Sequence, residues 1–221
     1  MKPDLDQTPL LEENLNKNAM KQFKTWFNEA ESSGMITEVD AAVLTTVDKD
    51  SVPHARYMKI LDFNKKGLMF ITSLYSDKVE HFTQNPNVTL LYPWTDINRQ
   101  VIINGTIKKM NDKKSEMYFD NFSWWGKVGA TINKQSSKVA SRHIIEEKFN
   151  KLLTKYNNDS SVHIKKPDHI CAFRIIPQSI EFFQGRSYKP TETRRTFSYA
   201  DRIKYTKDKD GSKWSMARFW A

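Results

Sequence analysis

The sequence predicts a mainly β fold of the α+β kind: a mostly antiparallel barrel of six or more strands, with helices at its side. Three observations carry that expectation. Short β-branched and aromatic segments recur along the chain, bounded by Asn, Asp and Gly turns. Helical three- and four-residue periodicity is confined to a few segments. No strand–helix–strand alternation of the kind that builds a parallel sheet is present.

Taken in order, residues 1–17 are polar and acidic and read as a mobile leader, with 18–221 as one domain. A helix is predicted over 19–32, where Met20, Phe23, Trp26, Phe27 and Ala30 form one apolar face and Gly34 stops it. Strands follow at 41–47, closed by Asp48-Lys49-Asp50, and at 54–61. The latter is expected to form a hairpin with 68–72 across the loop 64–67. Residues 76–85 read as a helix with Ser76 as N-cap, stopped by Asn85-Pro86-Asn87. Strands are predicted at 88–92 and 99–107, then a helix over 112–119. A further helix over 141–156 places Ile144, Ile145, Phe149, Leu152 and Leu153 on one face. Late strands are expected at 170–175, 179–183, 195–199 and 213–218, the loop 206–211 joining the last two.

Composition narrows the function. No apolar run approaches the roughly 18 residues of a membrane span, and the N-terminus lacks a signal-peptide layout. The single cysteine, Cys171, permits no internal disulfide and fits a reducing cytoplasm. The net charge of +9 is spread over separate patches such as Lys65-Lys66, Lys108-Lys109 and Lys165-Lys166. These read as solvated faces rather than a nucleic-acid groove. There is no GxGxxG, P-loop, GxSxG or HExxH motif. The five histidines are scattered in sequence, and no metal site is expected.

Several segments then match one pattern in order. They are 43–48; 56–61 with 67–73; Ser76-Asp77-Lys78; Asn85-Pro86 with 91–94; 98–101 with Gly105; Gln135-Ser136-Ser137; and 180–185. Together they resemble the pyridoxamine/pyridoxine 5'-phosphate oxidase family, from about residue 18 to the C-terminus. The resemblance implies a homodimer of split β-barrels with FMN at the subunit interface. Arg56 and Lys78 would bind the FMN phosphate. The backbone of Arg56, Tyr57, Met58, Lys59, Ile60 and Leu61 would line the flavin edge, joined by Ile71 and Thr72. Gln100, Gln135 and Ser136 would hydrogen-bond the cofactor. Phe183 stands where the family has Trp, and Arg195 matches its late-strand Arg. Asp77 replaces an Arg, exchanging a phosphate attractor for a repeller.

The substrate pocket departs from the family. Tyr118 matches a tyrosine that holds the substrate phosphate, but Leu61 stands at the Lys, Phe122 at the Arg and Gly126 at the Ser. The late segment 188–195, including Tyr188 and Arg194, has no clean match and is about two residues longer. Losing two cations and a hydroxyl would cost about 4–7 kcal/mol, at roughly 1.5–3 kcal/mol per charge-assisted bond, or about three to five decades in affinity. Lys59, Lys127, Arg186, Lys189 and Arg194 are candidate replacements. Phe122, Trp124 and Trp125 read either as an aromatic wall for a flat small-molecule substrate or as a packing cluster. The resemblance thus implies an FMN-dependent oxidase, hydride passing to flavin N5 and O2 accepting the electrons, with a substrate other than pyridoxine phosphate. Two alternatives stay open: pyridoxine/pyridoxamine 5'-phosphate oxidase itself, and a non-catalytic flavin, pyridoxal-phosphate or haem binder.

Overall fold

In the computed structural model, which describes residues 9–156, 159–186 and 199–221, nine strands form one antiparallel sheet. They are β1 (Ala41–Val47), β2 (Pro53–Lys59), β3 (Asp62–Asn64), β4 (Gly67–Ser73), β5 (Asn87–Trp94), β6 (Arg99–Lys109), β7 (Ile170–Arg186), β8 (Tyr199–Lys207) and β9 (Trp214–Phe219). The order β2-β1-β5-β6-β7-β4-β3 curls until its ends meet in the chain itself. Only Ile60 and Leu61 separate β2 from β3. Ile60 N donates to Asp40 O beside β1, and Leu61 N donates to Met69 O of β4. One bent run therefore bridges both edges, which is the split-barrel form. β8 and β9 extend the sheet from the second half of β7.

The bend has a local cause. β7 is seventeen residues long and serves β4 with its first half and β8 with its second. Its register against β6 slips between Asn104 and Gly105, beside Pro177, which has no N–H to give a ladder. Two glycines allow the close approach. A Cβ on Gly105 would lie 2.3 Å from Ile176 O, and one on Gly67, whose φ is +128°, would lie 2.0 Å from Ile175 O.

Five helices flank the barrel: α1 (Ala19–Ser33), α2 (Asp77–Gln84), α3 (Asp112–Asp120), α4 (Trp124–Ile132) and α5 (Arg142–Lys155). Asn18 caps α1 by accepting from Met20 N and Lys21 N, and Gly34 ends it at φ 62°. The predicted α1 face is buried at Met20, Phe23, Trp26 and Ala30. Phe23 packs edge-on to Phe63 at 5.0 Å and on Tyr92 at 5.2 Å, joining helix and barrel. Among the described residues no helix is long and apolar enough to cross a membrane.

Several expectations need correcting. β2 forms its hairpin with β1, not with β4; β4 pairs with the three-residue β3 instead. The 170–175 and 179–183 strands are one continuous strand. The last hairpin begins at Tyr199, and most of the predicted 195–199 strand lies outside the described residues. Ser76 precedes α2 but does not cap it; its hydroxyl donates back to Ser73 O. Ile145 is exposed, while Phe149, Leu152 and Leu153 pack inward. In the expected leader, residues 9–17 are docked: Leu10 is buried in the core, and Arg218 bonds both Leu10 O and the Glu12 carboxylate.

Candidate functional site

At the N-terminal end of α2, five of the predicted ligands come together. Lys78 is only 4% exposed, and its Nζ donates to Thr72 Oγ1 at 3.2 Å. That hydroxyl donates in turn to Gln135 Oε1 at 3.2 Å. Ser136 Oγ accepts from Asp77 N, the first amide of α2, at 3.2 Å. Ser136 itself sits at φ 67°, a left-handed conformation unusual for a non-glycine residue. From the facing β2, Arg56 Nη1 donates to Leu44 O at 3.2 Å and to Thr46 Oγ1 at 2.7 Å.

The electrostatics of this cluster are unbalanced. Among the described residues no carboxylate lies within ion-pair range of Lys78 or Arg56. Burial pulls the Lys78 ammonium down to about 8, with the Arg56 charge adding to the effect and Asp77 opposing it. Burial also lowers Arg56, again against Asp77. Asp77 is exposed and forms no ion pair with either cation, so its carboxylate only weakly offsets them. Two crowded cations at a helix N-terminus, with hydroxyls and an amide alongside, make a site for a multiply charged anion. The residue types and burial fit the phosphate end of FMN.

The other predicted flavin ligands divide in two. Among the described residues β2 pairs only with β1, which leaves backbone N–H and C=O groups of Arg56, Tyr57, Met58 and Lys59 without a second ladder partner there. Tyr57 is 72% exposed, whereas the Ile60 side chain is buried in the core. Ile71 packs under α3 and α4. Gln100 and Phe183, by contrast, are cross-strand partners at the far end of β7 from Cys171, the partner of Thr72. Along β7 these two positions are therefore set apart from the strand pair that carries Thr72. Arg195 lies outside the described residues.

On the substrate side, Tyr118 is buried over Met69 and Ala172, with Leu61 beside them. Its hydroxyl donates to Asp62 Oδ2 at 2.8 Å. Burial raises the Tyr118 phenol to about 12, helped by the hydrogen bond to Asp62 and its charge, and opposed by Arg174. Phe122 is half-buried and packs on Phe119 at 5.8 Å. Trp124 contacts Trp125 and Tyr156, and Trp125 stacks on Phe149. This arrangement favours the packing-cluster reading of these aromatics. Gly126 N donates to Ser123 Oγ at 3.1 Å, which caps α4. Tyr188 and Arg194 lie outside the described residues.

Three of the five candidate replacement cations have other partners. Lys59 pairs with Asp40 at 3.4 Å, Lys127 sits 5.9 Å over the Phe119 ring, and Arg186 Nε donates to Asp201 at 3.0 Å. Lys189 is outside the described residues.

Three features escaped the sequence reading. Asp62, next to Leu61, carries no local signal of the bond it accepts from Tyr118. The helix α4 is hidden by Gly126 and Gly129, although Ser123 three residues before Gly126 is a capping signal. The histidines are not all scattered: the rings of His54 and His81 lie 4.6 Å apart, His54 Nε2 is 2.9 Å from Asp48 Oδ2, and His81 Nδ1 is 3.0 Å from Thr46 Oγ1.

Comparison with known proteins agrees with this geometry. The sequence model of the family described as pyridoxamine 5'-phosphate oxidase matches residues 29–156. The chain is 32% identical over 218 residues to a pyridoxine/pyridoxamine 5'-phosphate oxidase of Trichormus variabilis, covering 99% of this chain and 95% of that protein. Its fold is similar to PhzG of Burkholderia lata, solved with tetrahydrophenazine-1-carboxylic acid, at TM-score 0.81 and 18% identity over 100% of this chain and 98% of that one. It is also similar to a pyridoxamine 5'-phosphate oxidase-related, FMN-binding protein of Nostoc punctiforme, at TM-score 0.71 and 12% identity over 94% and 100%. With the split barrel, the Lys78 cluster and this near full-length similarity together, the chain belongs to the pyridoxamine 5'-phosphate oxidase family.

Proposed function

We propose that this chain is an FMN-dependent oxidoreductase that works as a homodimer on a small molecule other than pyridoxine phosphate, with O2 as electron acceptor. The observation that carries the cofactor is the pair Arg56 and Lys78, crowded together at the start of α2 with no ion-paired carboxylate among the described residues. When bound, FMN supplies a two-electron acceptor. The protein's share is placement. Arg56 and Lys78 neutralise the phosphate, and Thr72, Gln135 and Ser136 fix it by hydrogen bonds. The edge of β2 away from β1 would offer backbone groups to the flavin. In a homodimer, Gln100 and Phe183 of a second copy would be the ones to reach the cofactor held at the first copy's Lys78 cluster.

The altered substrate is supported by Leu61, Phe122 and Gly126, none of which offers a side-chain ligand for a phosphate, and by the engagement of Lys59, Lys127 and Arg186 elsewhere. The near full-length match to pyridoxine/pyridoxamine 5'-phosphate oxidases favours a second reading, that enzyme itself. Purified protein incubated with FMN and desalted is expected to keep a flavin absorption spectrum. Pyridoxine 5'-phosphate is expected to give no turnover at micromolar concentration; ordinary turnover with a micromolar KM would establish the second reading instead.

A further inference from the structure

We propose that Asp62 and Tyr118 form a substrate-recognition subsite for a cationic or hydrogen-bond-donating group, and that Asp62 rejects phosphate and carboxylate there. This rests on the reading of the Tyr118 side as the substrate side. Asp62, Met69 and Arg174 lie in one cross-strand row of β3, β4 and β7, so their side chains share the outer face of the barrel beneath α3. Tyr118 of α3 covers the buried Met69 and directs its hydroxyl sideways onto Asp62 at 2.8 Å. Arg174, on the other side of Met69, turns its Nε onto the Met69 sulfur at 3.2 Å rather than onto the carboxylate. Among the described residues Asp62 has no ion-pair partner.

The chemistry follows from what each group has left to offer. A phenol can donate one hydrogen bond, and that of Tyr118 is spent on Asp62. An incoming anion would have to displace Asp62 and then lie beside its charge. A primary amine, a protonated ring nitrogen or an N–H donor meets the reverse situation. Asp62 Oδ1 and its remaining lone pairs accept from it, while Tyr118 donates to Oδ2. Asp62 is itself exposed, so the carboxylate is reachable from solvent. The partly exposed apolar side chains of Leu61 and Met110, packed against the same cluster, offer the body of the ligand an apolar surface.

The test uses full-length protein preloaded with FMN and two matched probes, 2-naphthylmethylamine and 2-naphthoate, titrated by calorimetry. Wild type is expected to bind the amine at least about tenfold more tightly than the carboxylate, the scale of one partly solvated charge contact. Asp62→Asn keeps an acceptor for Tyr118 and removes the charge, and it should bring the two affinities to within about threefold. Tyr118→Phe should keep the sign of the preference and reduce its size. A wild-type preference for naphthoate, no measurable amine binding, or an unchanged ratio in Asp62→Asn would overturn the proposal. The flavin spectrum of the same samples reports separately on the cofactor reading: protein that holds no FMN but shows the Asp62-dependent ratio fails that reading and keeps this one.

Discussion

Lys78 Nζ lies 3.2 Å from Thr72 Oγ1 in a pocket where it is only 4% exposed, and its near neighbour is the cation Arg56. A charge is therefore held in a place that costs the unliganded fold free energy, and an anion would recover it.

Replacing Lys78 by Met separates binding from stability. The change should weaken FMN binding by about 10- to 100-fold, the worth of one charge-assisted contact. The FMN-free protein should become more stable, because a buried cation is replaced by an apolar chain of similar length. Thermal unfolding with and without FMN checks both. A variant destabilised in both states would contradict the assignment.

The same residue predicts a pH dependence. Lys78 is held at about 8 in the fold, while an unfolded lysine titrates near 10.4. Between these values the unfolded chain binds more protons, so stability of the FMN-free protein rises with pH across that window. The gain levels off above it at roughly 3 kcal/mol. Phosphate restores the ammonium, so FMN affinity should fall as pH passes 8. Denaturant titrations at pH 7, 8.5 and 10, with matched FMN binding curves, test the sign.

Gln100 and Lys78 lie in separate places within one chain, yet both are proposed to contact one cofactor. A Lys78→Met chain and a Gln100→Ala chain, each with weakened binding, should complement when unfolded and refolded together. Random pairing in dimers gives roughly a quarter of sites with both residues intact. Recovered tight FMN sites, counted by absorbance, check this; no recovery would argue that the two residues serve different sites.

Gly67→Ala should destabilise the barrel by about 2–4 kcal/mol, since the new Cβ would meet Ile175 O where β7 bends and φ is positive. Gly211→Ala is a control for φ alone, having open space around it at φ 75°. Equal losses in the two variants would remove the close-approach argument.

The strands and the cofactor pocket were legible in the sequence for different reasons. The β1, β5 and β6 alternation announces itself because one face is buried, and Asn18 and Gly34 bracket α1 by ordinary capping chemistry. Arg56, Thr72, Lys78, Gln135 and Ser136 were found through resemblance, and folding does bring them together. Strand partners were harder, because pairing β2 with β1 and β3 with β4 depends on a bend at Ile60-Leu61 that no local propensity marks. Asp62 was missed for a related reason. Its meaning comes from Tyr118, which lies far along the sequence and reaches it only across β4.

The central claim is that Arg56 and Lys78 hold the cofactor's phosphate. The most direct measurement is the affinity of the cofactor-free protein for FMN against riboflavin, which lacks only that phosphate, by quenching of flavin fluorescence. FMN is expected to bind at least about 100-fold more tightly, from two charge-assisted contacts, and Lys78→Met to narrow the gap. Equal affinities for FMN and riboflavin would contradict it.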